Sequence, residues 1–525
     1  MLIPTGHGRI VAIDRDGITR SKSNGEYEIM PPKLDHGFVA PGPASEFGYM
    51  FRGSGLAEDP DAFDKLERLG AAMISDSGQM MGPSGQPAIL TYFGQFIDHD
   101  ITLNTDTDPA SLPDFSVAPD DGKLVLNDRA HVKANIRNGR NPTLSLDSVY
   151  GDQSDREELL RDGARMRIGE TDQGTPEDLP RFKAVAPDRI DDVDIFASTA
   201  FVADGRNDEN LIVAQLHLAF LRFHNAVVDH LDAAEPHLDP DQKFARARDL
   251  TTLHYQWLVA NVYLPGICDW QALETVWQSG AARYRAFVGS GAGQIPFEFS
   301  VAAFRFGHSM IRPEYVFNAN FGPDGRLGPA TLREMFAFTG GENSAFAENA
   351  KLPKVWVIDW SNFLVADDDA RTARPTDTSL ADGLDRLDVM IDALRVLPVR
   401  NLRRSYVLNI PTAQSVQAEV DAVPLTDKEL RGFGNDLLAD LGYLEDTPLW
   451  LYILLEAELR AGGKTLGPMG STLVAEVLIG LLLQDKNSIL HRGTGKAASW
   501  VPSDAGLGGS PIDSFEKFLR FAGVM

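Results

Sequence analysis

A long helical pattern between residues 210 and 231 constrains the fold of this chain more than any other feature. Its apolar side chains recur every three or four residues, at Leu211, Ile212, Leu216, Leu218, Ala219, Phe223, Val227 and Leu231. This period places them on one face of an α-helix. The pattern continues over residues 241–263, where Pro265 should end it because proline lacks the N–H that a helix needs. The chain is therefore predicted to be mainly α-helical.

Further helices are predicted in the second half of the chain, whereas strand signals are few and short. Thr426 and Glu429 mark one helix start, because this pair can satisfy two free backbone N–H groups as a capping box. The predicted helices cover residues 300–310, 381–397, 426–441, 448–461, 470–483 and 514–521. The expected fold class is mainly α, with long loops and few short strands.

Charge and cysteine content exclude several classes of protein. The chain has 49 Lys and Arg against 75 Asp and Glu, a net charge of −26, so nucleic acid and anionic membrane surfaces should repel it. The single cysteine, Cys268, excludes internal disulfides and cysteine-built zinc or iron–sulfur sites. We therefore expect no nucleic acid partner.

Targeting signals are also missing from the sequence. No uninterrupted apolar run reaches the roughly 20 residues that cross a bilayer, and the N-terminus lacks the basic and apolar regions of a Sec signal peptide. We expect no membrane span, and a location that is cytoplasmic by default or reached by a non-Sec export route. The sequence leaves the oligomeric state open.

One cluster of polar residues interrupts an apolar, helix-like run at residues 92–101. Gln95, Asp98, His99 and Asp100 lie together there, and Gln95 and His99 are one helical turn apart. Consecutive polar groups inside an apolar segment are unfavourable unless they have partners. The cluster is either a polar patch at a helix end or a metal or acid–base site.

A second histidine stands in an apolar stretch at residues 304–311. His308 follows Gly307, which permits close approach of a flat ligand, and Arg305, which can bind a carboxylate. The alternative is a core histidine beside a glycine that ends a helix. His217, His224 and His254 lie within helical patterns and are interpreted as hydrogen-bonded core or surface residues.

Four segments, in order, carry a family resemblance. Tyr-Phe-Gly-Gln-Phe-Ile-Asp-His-Asp at 92–100 and Ala-Phe-Arg-Phe-Gly-His-Ser-Met-Ile at 303–311 closely resemble the distal-histidine and proximal-ligand motifs of the animal-type haem peroxidases, in the peroxidase–cyclooxygenase superfamily. Residues 203–210 resemble the distal-arginine segment, and residues 397–404 the segment that supplies the proximal histidine's partner. Residues 405–411 depart from the family's Gly/Ser-Arg-Asp-His-Gly pattern, which indicates a divergent, bacterial-type member.

The resemblance implies one large helical domain that binds haem b. His308 would be the proximal iron ligand and Asn401 its partner. His99 would be the distal acid–base group, Arg206 would stabilise the leaving hydroxide, and Gln95 would hydrogen-bond distal water and lie beside bound halide. Because these motifs spread one site over residues 95–404, we expect a catalytic domain at 89–525 and an N-terminal arm or wrapping segment at 1–88.

The resemblance also assigns the groups that hold the haem. Arg305 and Arg404 occupy positions where family members bind the propionates. Asp98 and Glu209 match the carboxylates that form ester bonds to haem methyl groups, and Asn210 stands where some members form a sulfonium link through methionine. For Glu209 the alternative is an ordinary carboxylate at a helix N-terminus.

A calcium site is the least complete part of the resemblance. Family members hold calcium with the aspartate after the distal histidine, here Asp100, and with a loop that here contains Thr143, Ser145 and Asp147. Ser145 replaces an expected carboxylate, which removes one charge. The loop is therefore expected to form a weaker calcium site, a site for another cation, or none.

The implied function is a haem peroxidase that reduces hydrogen peroxide and oxidises halide, thiocyanate or a phenol through an iron–oxo intermediate. One alternative is a fatty-acid dioxygenase of the same superfamily, although the radical-forming tyrosine three residues before the proximal histidine is Arg305 here. A peroxinectin-like adhesion or binding protein is another alternative, and a non-haem metal hydrolase the third. The sequence does not identify the physiological electron donor.

Overall fold

The computed structural model describes residues 45–525 except for short gaps, together with four strands nearer the N-terminus. The gaps are residues 75–83, 107–113, 120, 152–159, 186–196, 290, 292, 341–344, 346–349, 386–395 and 494–498. About half of the described residues are helical, and fewer than a tenth are in strands. This composition confirms the predicted fold class.

The α-helices run from near residue 62 to the C-terminus. Short 3-10 helices lie at Gly205–Asp208, Ala303–His308, Lys354–Trp356, Trp360–Phe363, Asp382–Asp385 and Pro502–Ala505, and π-helical turns at Val259–Tyr263 and Glu298–Ala302. The α-helices are Ala62–Ala71, Ile89–Ile101, Arg129–Asn135, Asp147–Tyr150, Phe182–Val185, Leu211–Ala234, Pro240–Leu258, Leu264–Ile267, Trp270–Ser279, Ala282–Val288, Leu332–Ala337, Leu397–Val407, Ala413–Gln417, Asp427–Gly432, Leu437–Asp440, Leu449–Ala461, Pro468–Gln484 and Phe515–Phe521.

The strands are short, and those of the second sheet contribute Phe47, Ile136 and Ile295 to the hydrophobic core. Leu2–Thr5, Arg9–Ile13, Thr19–Ser23 and Glu26–Met30 form an antiparallel sheet in chain order, for which the sequence analysis predicted no strands. A second sheet has the order Ile295–Pro296, Ser45–Gly48, Ile136–Asn138, Asn104–Asp106, with Ser45 opposite Asn138. Two small hairpins pair Arg161–Asp162 with Arg165–Met166 and Glu314–Tyr315 with Ala330–Thr331.

The core is built around apolar helices that carry few charges. Leu211–Ala234 packs against Pro240–Leu258 and Ile89–Ile101, and Pro468–Gln484 is buried from Met469 to Leu482. Among the described residues, Leu211–Ala234 alone is long and apolar enough to cross a membrane, and 83% of its most apolar window is buried inside the protein. This burial is what a core helix requires.

The N-terminal segment supports the helix that carries Asn401. The Ala62–Ala71 helix packs on Leu397–Val407, and a Cβ on Gly70 would lie 2.7 Å from the Val399 backbone, so only glycine permits this approach. Arg403 adds an ion pair to Glu67 at 2.7 Å. The division into an arm at 1–88 and a domain at 89–525 stays a prediction.

Several helix predictions are confirmed. The capping box of Thr426 and Glu429 is formed. Residues 448–461, 470–483 and 514–521 are helical over nearly the predicted ranges, with Ser514 as an N-cap.

Other boundaries were wrong for local reasons. Pro265 does not end the helix as predicted. A π turn at Val259–Tyr263 precedes it and places the proline in the first turn of Leu264–Ile267. Proline is tolerated in a first turn because the N–H that it lacks would not be hydrogen-bonded within the helix there. Residues 426–441 form two helices, since Gly434, Asn435 and Asp436 adopt positive φ angles.

Two further segments differ from the predicted α-helices. Residues 300–310 are a π turn followed by a 3-10 helix. For residues 381–397, the structure describes a 3-10 turn at Asp382–Asp385 and the start of a helix at Leu397, where the prediction ended one. Residues 386–395 of that prediction lie outside the described part of the chain. Pro398 explains the start, because proline is compatible with a first helical turn.

Candidate active site

Seven of the sequence-predicted residues line a cavity of about 320 Å³, inside the range of roughly 300–1,000 Å³ that is usual for ligand pockets. Its walls come from Ile89–Ile101, the 3-10 helices Gly205–Asp208 and Ala303–His308, and the start of Leu397–Val407. The polar and charged lining comprises Gln95, Asp98, His99, Arg206, Glu209, Asn210, Arg305, His308 and Arg400. Residues far apart in sequence thus meet in one site.

His99 is buried on the helical wall, and its ring is hydrogen-bonded. Its Nδ1 lies 2.9 Å from Oδ1 of Asn207, which itself is fully buried. Burial and the nearby Arg206 guanidinium lower the pKa of His99 to about 4. The imidazole is therefore neutral at neutral pH, which a proton acceptor requires.

Arg206 is anchored beside His99 by its neighbours. Its guanidinium forms an ion pair with Asp204 at 2.7 Å and donates to the carbonyl oxygens of His99 and Thr102 at 2.9 and 2.7 Å. Although burial opposes the shift, Arg140 and Arg206 hold the pKa of Asp204 well below its usual range. The Nη1 of Arg206 has no partner among the described residues, so this group is left as a donor.

Gln95 and Asn210 are joined across the cavity wall. Asn210 donates to Oε1 of Gln95 at 3.0 Å, while its own Oδ1 caps the Leu211–Ala234 helix by accepting from Val213. The Gln95 oxygen is thereby engaged, and the Gln95 NH₂ group is the remaining donor.

His308 lies on the 3-10 wall with Asn401 behind it. Asn401 Nδ2 donates to His308 Nδ1 at 2.9 Å, and the His308 ring meets Trp450 edge-on. Burial, reinforced by Arg305 and Arg400, lowers the pKa of His308 well below its usual range. A histidine that binds a metal through Nε2 carries its proton on Nδ1, so ligation would require the Asn401 amide to turn and present its oxygen.

Cations lie beside His308, although not quite where the sequence placed them. Arg305 donates to the Ser300 carbonyl at 2.8 Å and pairs with Asp98 at 3.2 Å. Arg404 is exposed and does not line the cavity, whereas Arg400, one turn earlier, does. Burial, with Arg404 and Arg305 nearby, lowers the pKa of Arg400 to about 10. Its guanidinium has no hydrogen-bond or ion-pair partner among the described residues.

The two carboxylates predicted to form esters both line the cavity but differ in their partners. Asp98 accepts from Thr102 at 3.0 Å as well as pairing with Arg305. Glu209 has no side-chain hydrogen bond within the described part of the chain. Burial raises the pKa of Glu209 to about 7, although Arg206 opposes the shift.

The predicted calcium ligands bond to one another. Asp100 accepts from the backbone N–H groups of Leu146 and Ser148 at 3.1 Å each. Ser145 donates to Asp147 at 2.8 Å, and Thr143 donates to Ser145 at 2.9 Å. Within the described ranges, no three His, Cys, Asp or Glu side chains converge as metal ligands do. Ser145 supplies no charge, and the nearby Asp147 carboxylate adds to burial in raising the pKa of Asp100 to about 7. The possible calcium site therefore stays a prediction.

Comparison with known proteins agrees with this architecture. Residues 127–339 match the model of the animal haem peroxidase family. Among solved structures, peroxidase A from Dictyostelium discoideum superposes with a TM-score of 0.59 at 17% identity, covering 88% of this chain and 90% of that one. The fatty acid alpha-dioxygenase of Oryza sativa gives 0.55 at 14% identity, covering 97% and 86%. The fold is that of the peroxidases and dioxygenases.

Two relatives of known class are peroxidases or peroxidase-like proteins. A peroxidase-like protein of Margaritifera margaritifera is 26% identical over 318 residues, which is 53% of this chain and 39% of that protein. Human thyroid peroxidase is 24% identical over 339 residues, 54% of this chain and 35% of its own length. The chain thus spans about two fifths of these relatives. The chain is thus similar to the animal haem peroxidase family over residues 127–339 and to peroxidase-like relatives over about half of its length, in agreement with the motifs.

Sequence reasoning missed Asn207, His217 and Arg400. Arg400 has a signal in hindsight, because it lies one residue before Asn401. Asn207 follows Arg206 directly, but nothing in the local sequence indicates that it bonds His99, which is 108 residues away.

Proposed function

We propose that the protein is a haem peroxidase that reduces hydrogen peroxide and oxidises small donors such as halide, thiocyanate or a phenol. The observation that carries this proposal is the presence of two imidazoles, His99 and His308, on different walls of one cavity, each bonded to an asparagine. One imidazole can ligate iron while the other handles protons, which is the division of labour that peroxide cleavage needs.

The lining of the cavity supports haem as the bound group. A Cβ on Gly307 would meet open space within 4 Å, so the wall beside His308 is clear for a flat ring. Arg305 and Arg400 supply cations for two propionates, and Arg400 has no competing partner among the described residues. His308 would hold the iron through Nε2. When bound, haem supplies the redox chemistry that carries electrons from the donor to peroxide.

His99 and Arg206 would act on the peroxide itself. The neutral His99 accepts a proton from hydrogen peroxide at Nε2 and returns it to the leaving oxygen. Arg206 stabilises the negative charge on that oxygen through its remaining donor. Asp204 and the carbonyl oxygens of His99 and Thr102 hold the Arg206 guanidinium in place before peroxide binds. Gln95 would hydrogen-bond water or halide through its NH₂ group, because Asn210 engages its oxygen.

We also propose that Asp98 and Glu209 form ester bonds to haem methyl groups. Each bond would replace a methyl C–H bond with a C–O bond, and the two electrons and two protons released would reduce one hydrogen peroxide to two water molecules. Glu209 supports this best, since its carboxyl faces the cavity without another hydrogen bond in the described structure. Asp98→Val together with Glu209→Gln should make the haem extractable by acidified organic solvent. Haem that is already extractable from the wild-type protein would contradict the ester bonds, although not the peroxidase.

An absorption spectrum and a turnover assay test the main proposal. The purified holoprotein should show a Soret band, and it should oxidise guaiacol or ABTS when hydrogen peroxide is added. Absence of the Soret band after reconstitution with haem would overturn the proposal. Haem without turnover would instead favour a peroxinectin-like binding protein.

A fatty-acid dioxygenase is the second candidate, favoured by the structural likeness to the Oryza sativa enzyme. Against it, Arg305 occupies the position three residues before His308, and arginine cannot form the tyrosyl radical of that mechanism. Oxygen uptake with linoleate distinguishes the two. Rapid uptake without added peroxide would replace the peroxidase proposal.

A further inference from the structure

We propose that Asn207 is a positioning residue that fixes the tautomer of His99, and that His217 anchors Asn207. The inference rests on the proposed role of His99 as the proton acceptor. It concerns a chain of three buried side chains that leads from the cavity wall into the core.

The three side chains are joined end to end by short hydrogen bonds. His99 Nδ1 lies 2.9 Å from Oδ1 of Asn207, and Nδ2 of Asn207 lies 2.9 Å from Nδ1 of His217. Asn207 and His217 are both fully buried. Water therefore does not compete for either bond.

The orientation of the Asn207 amide follows from its surroundings. Besides His217, Nδ2 also faces the carbonyl oxygen of Ser148, at 3.5 Å. A carbonyl oxygen can only accept, so the NH₂ end of the amide must lie on this side. The amide oxygen is thereby directed to His99.

The amide orientation determines the protonation of both rings. Because an amide oxygen only accepts, His99 must carry its proton on Nδ1, which leaves the lone pair on Nε2. Nε2 of His99 has no protein partner among the described residues, and His99 lines the cavity. The lone pair is therefore available to accept a proton from peroxide.

His217 completes the chain from the other end. It accepts from Asn207 at Nδ1, so its proton sits on Nε2, a buried atom without a partner in the described structure. Burial also lowers the pKa of His217 to about 3, which keeps the ring neutral. The ring accepts at Nδ1 in this state, and turning the Asn207 amide over would bring its oxygen against the Ser148 carbonyl oxygen, which opposes that turn.

The same short helix thus carries two functions. Gly205–Asp208 presents Arg206 to the cavity and Asn207 to the core. Asp204 caps this helix by accepting from the Arg206 N–H at 3.0 Å. The charge-stabilising group and the tautomer-fixing group are consequently held by one turn of backbone.

The first test is kinetic and uses the holoprotein in stopped-flow mixing with hydrogen peroxide. Asn207→Leu, which keeps the size but removes the acceptor, should slow the reaction roughly 10- to 100-fold, as loss of a histidine's supporting partner does elsewhere. Asn207→Asp retains an acceptor oxygen and should restore most of that rate. The Soret-to-protein ratio reports whether each variant still binds haem.

His217 has a matched control on its own helix. His224 is likewise buried, but its ring bonds to Tyr150 through Nδ1 and to the Ala164 carbonyl through Nε2, at 2.9 Å each, and not to Asn207. His217→Phe should slow the peroxide reaction, His217→Gln should restore it by offering an acceptor, and His224→Phe should leave it unchanged. Equal rates in His217→Phe and His224→Phe would overturn the anchoring role.

The second test reads the tautomers directly and does not depend on turnover. Long-range ¹H–¹⁵N spectra of ¹⁵N-histidine-labelled holoprotein in its diamagnetic ferrous carbon monoxide form should show His99 protonated at Nδ1 and His217 at Nε2. Asn207→Leu should abolish the Nδ1 form of His99. A His99 protonated at Nε2 in the wild-type protein would overturn the inference even if the peroxidase proposal holds.

Failure of the proposed function has a separate signature. If His99→Ala reacts with peroxide at the wild-type rate, then His99 is not the proton acceptor, whatever the spectra show. If His99→Ala is slow and Asn207→Leu is not, then only the positioning role is wrong.

Discussion

Two histidines line the same cavity, and the asparagines that bond them are held in different ways. On the His99 side, the Asn207 amide is bonded at both ends, to His99 through its oxygen and to His217 through its nitrogen. On the His308 side, Asn401 donates to His308 through its nitrogen, and its oxygen has no partner among the described residues. One amide is therefore fixed, whereas the other can turn.

This difference matches what each histidine has to do in a peroxidase. A proton acceptor must present a lone pair before substrate arrives, so its tautomer is best set by the protein. A metal ligand has its tautomer set by the metal, which takes Nε2 and leaves the proton on Nδ1. An asparagine whose amide can turn, such as Asn401, is therefore sufficient beside His308.

The largest expected effect is the loss of haem from His308→Ala. Removing the ligand should lower the Soret-to-protein ratio roughly tenfold or more, whereas His99→Ala should leave that ratio close to wild type. The absorption spectra of the two purified variants provide the measurement. Equal haem content in both would contradict the division of roles between the two walls.

The next effect is on the reaction with peroxide. His99→Ala should slow this reaction by roughly 100-fold, because general acid–base catalysis contributes about that much. Stopped-flow traces at the Soret maximum give the rate. If His99→Ala reacts at the wild-type rate, then His99 takes no part in the reaction with peroxide, although its partner Asn207 is bonded at both ends.

Two arginines on one helix offer a smaller and more local comparison. Arg400 lines the cavity without a partner in the described structure, whereas Arg404 is exposed. Arg400→Leu should weaken haem binding roughly tenfold or more, the usual effect of losing a hydrogen bond to a charged group. Fluorescence-quenching titration of the apoprotein with haem measures this affinity. A larger loss in Arg404→Leu would restore the sequence-based assignment.

The smallest expected effect is on the reduction potential of the iron and comes from Asn401, the asparagine whose amide can turn. Asn401→Asp would give His308 Nδ1 a stronger acceptor, so the reduction potential of the iron should fall by an amount on the order of tens of millivolts. Spectroelectrochemical titration measures the potential. An unchanged potential would indicate that Asn401 does not contact the ligand histidine in the holoprotein.

Much of the site could be predicted because its residues sit in contiguous motifs. His99, Asp98 and Gln95 lie within one helix turn, and the Arg305–His308 segment is equally local. Helical periodicity similarly predicted the Leu449–Ala461 and Pro468–Gln484 helices almost to their ends. These features depend on residues that are close together in sequence, so they can be recognised from one sequence alone.

The remainder depends on tertiary contacts or on backbone choices that side-chain patterns do not encode. Asn207 gains its role from His217 and from a histidine 108 positions earlier. Motif position predicted that Arg404 binds a haem propionate, whereas it is Arg400, one helical turn earlier, that lines the cavity. The π turn before Pro265 adds a residue to one helical turn, and no residue type in the sequence marks it.

The cavity walls also impose an order on biosynthesis. The Ile89–Ile101 wall leaves the ribosome early, but the helix that carries Asn401 ends at Val407, and Leu449–Ala461 packs beneath the His308 segment. The Ala62–Ala71 helix must meanwhile wait for Leu397–Val407, its packing partner. Domains generally fold as units during synthesis, and here the unit closes only when most of the chain has emerged. Capture of the proposed haem would accordingly come late in synthesis, and a chain stalled before residue 407 would present only part of the cavity.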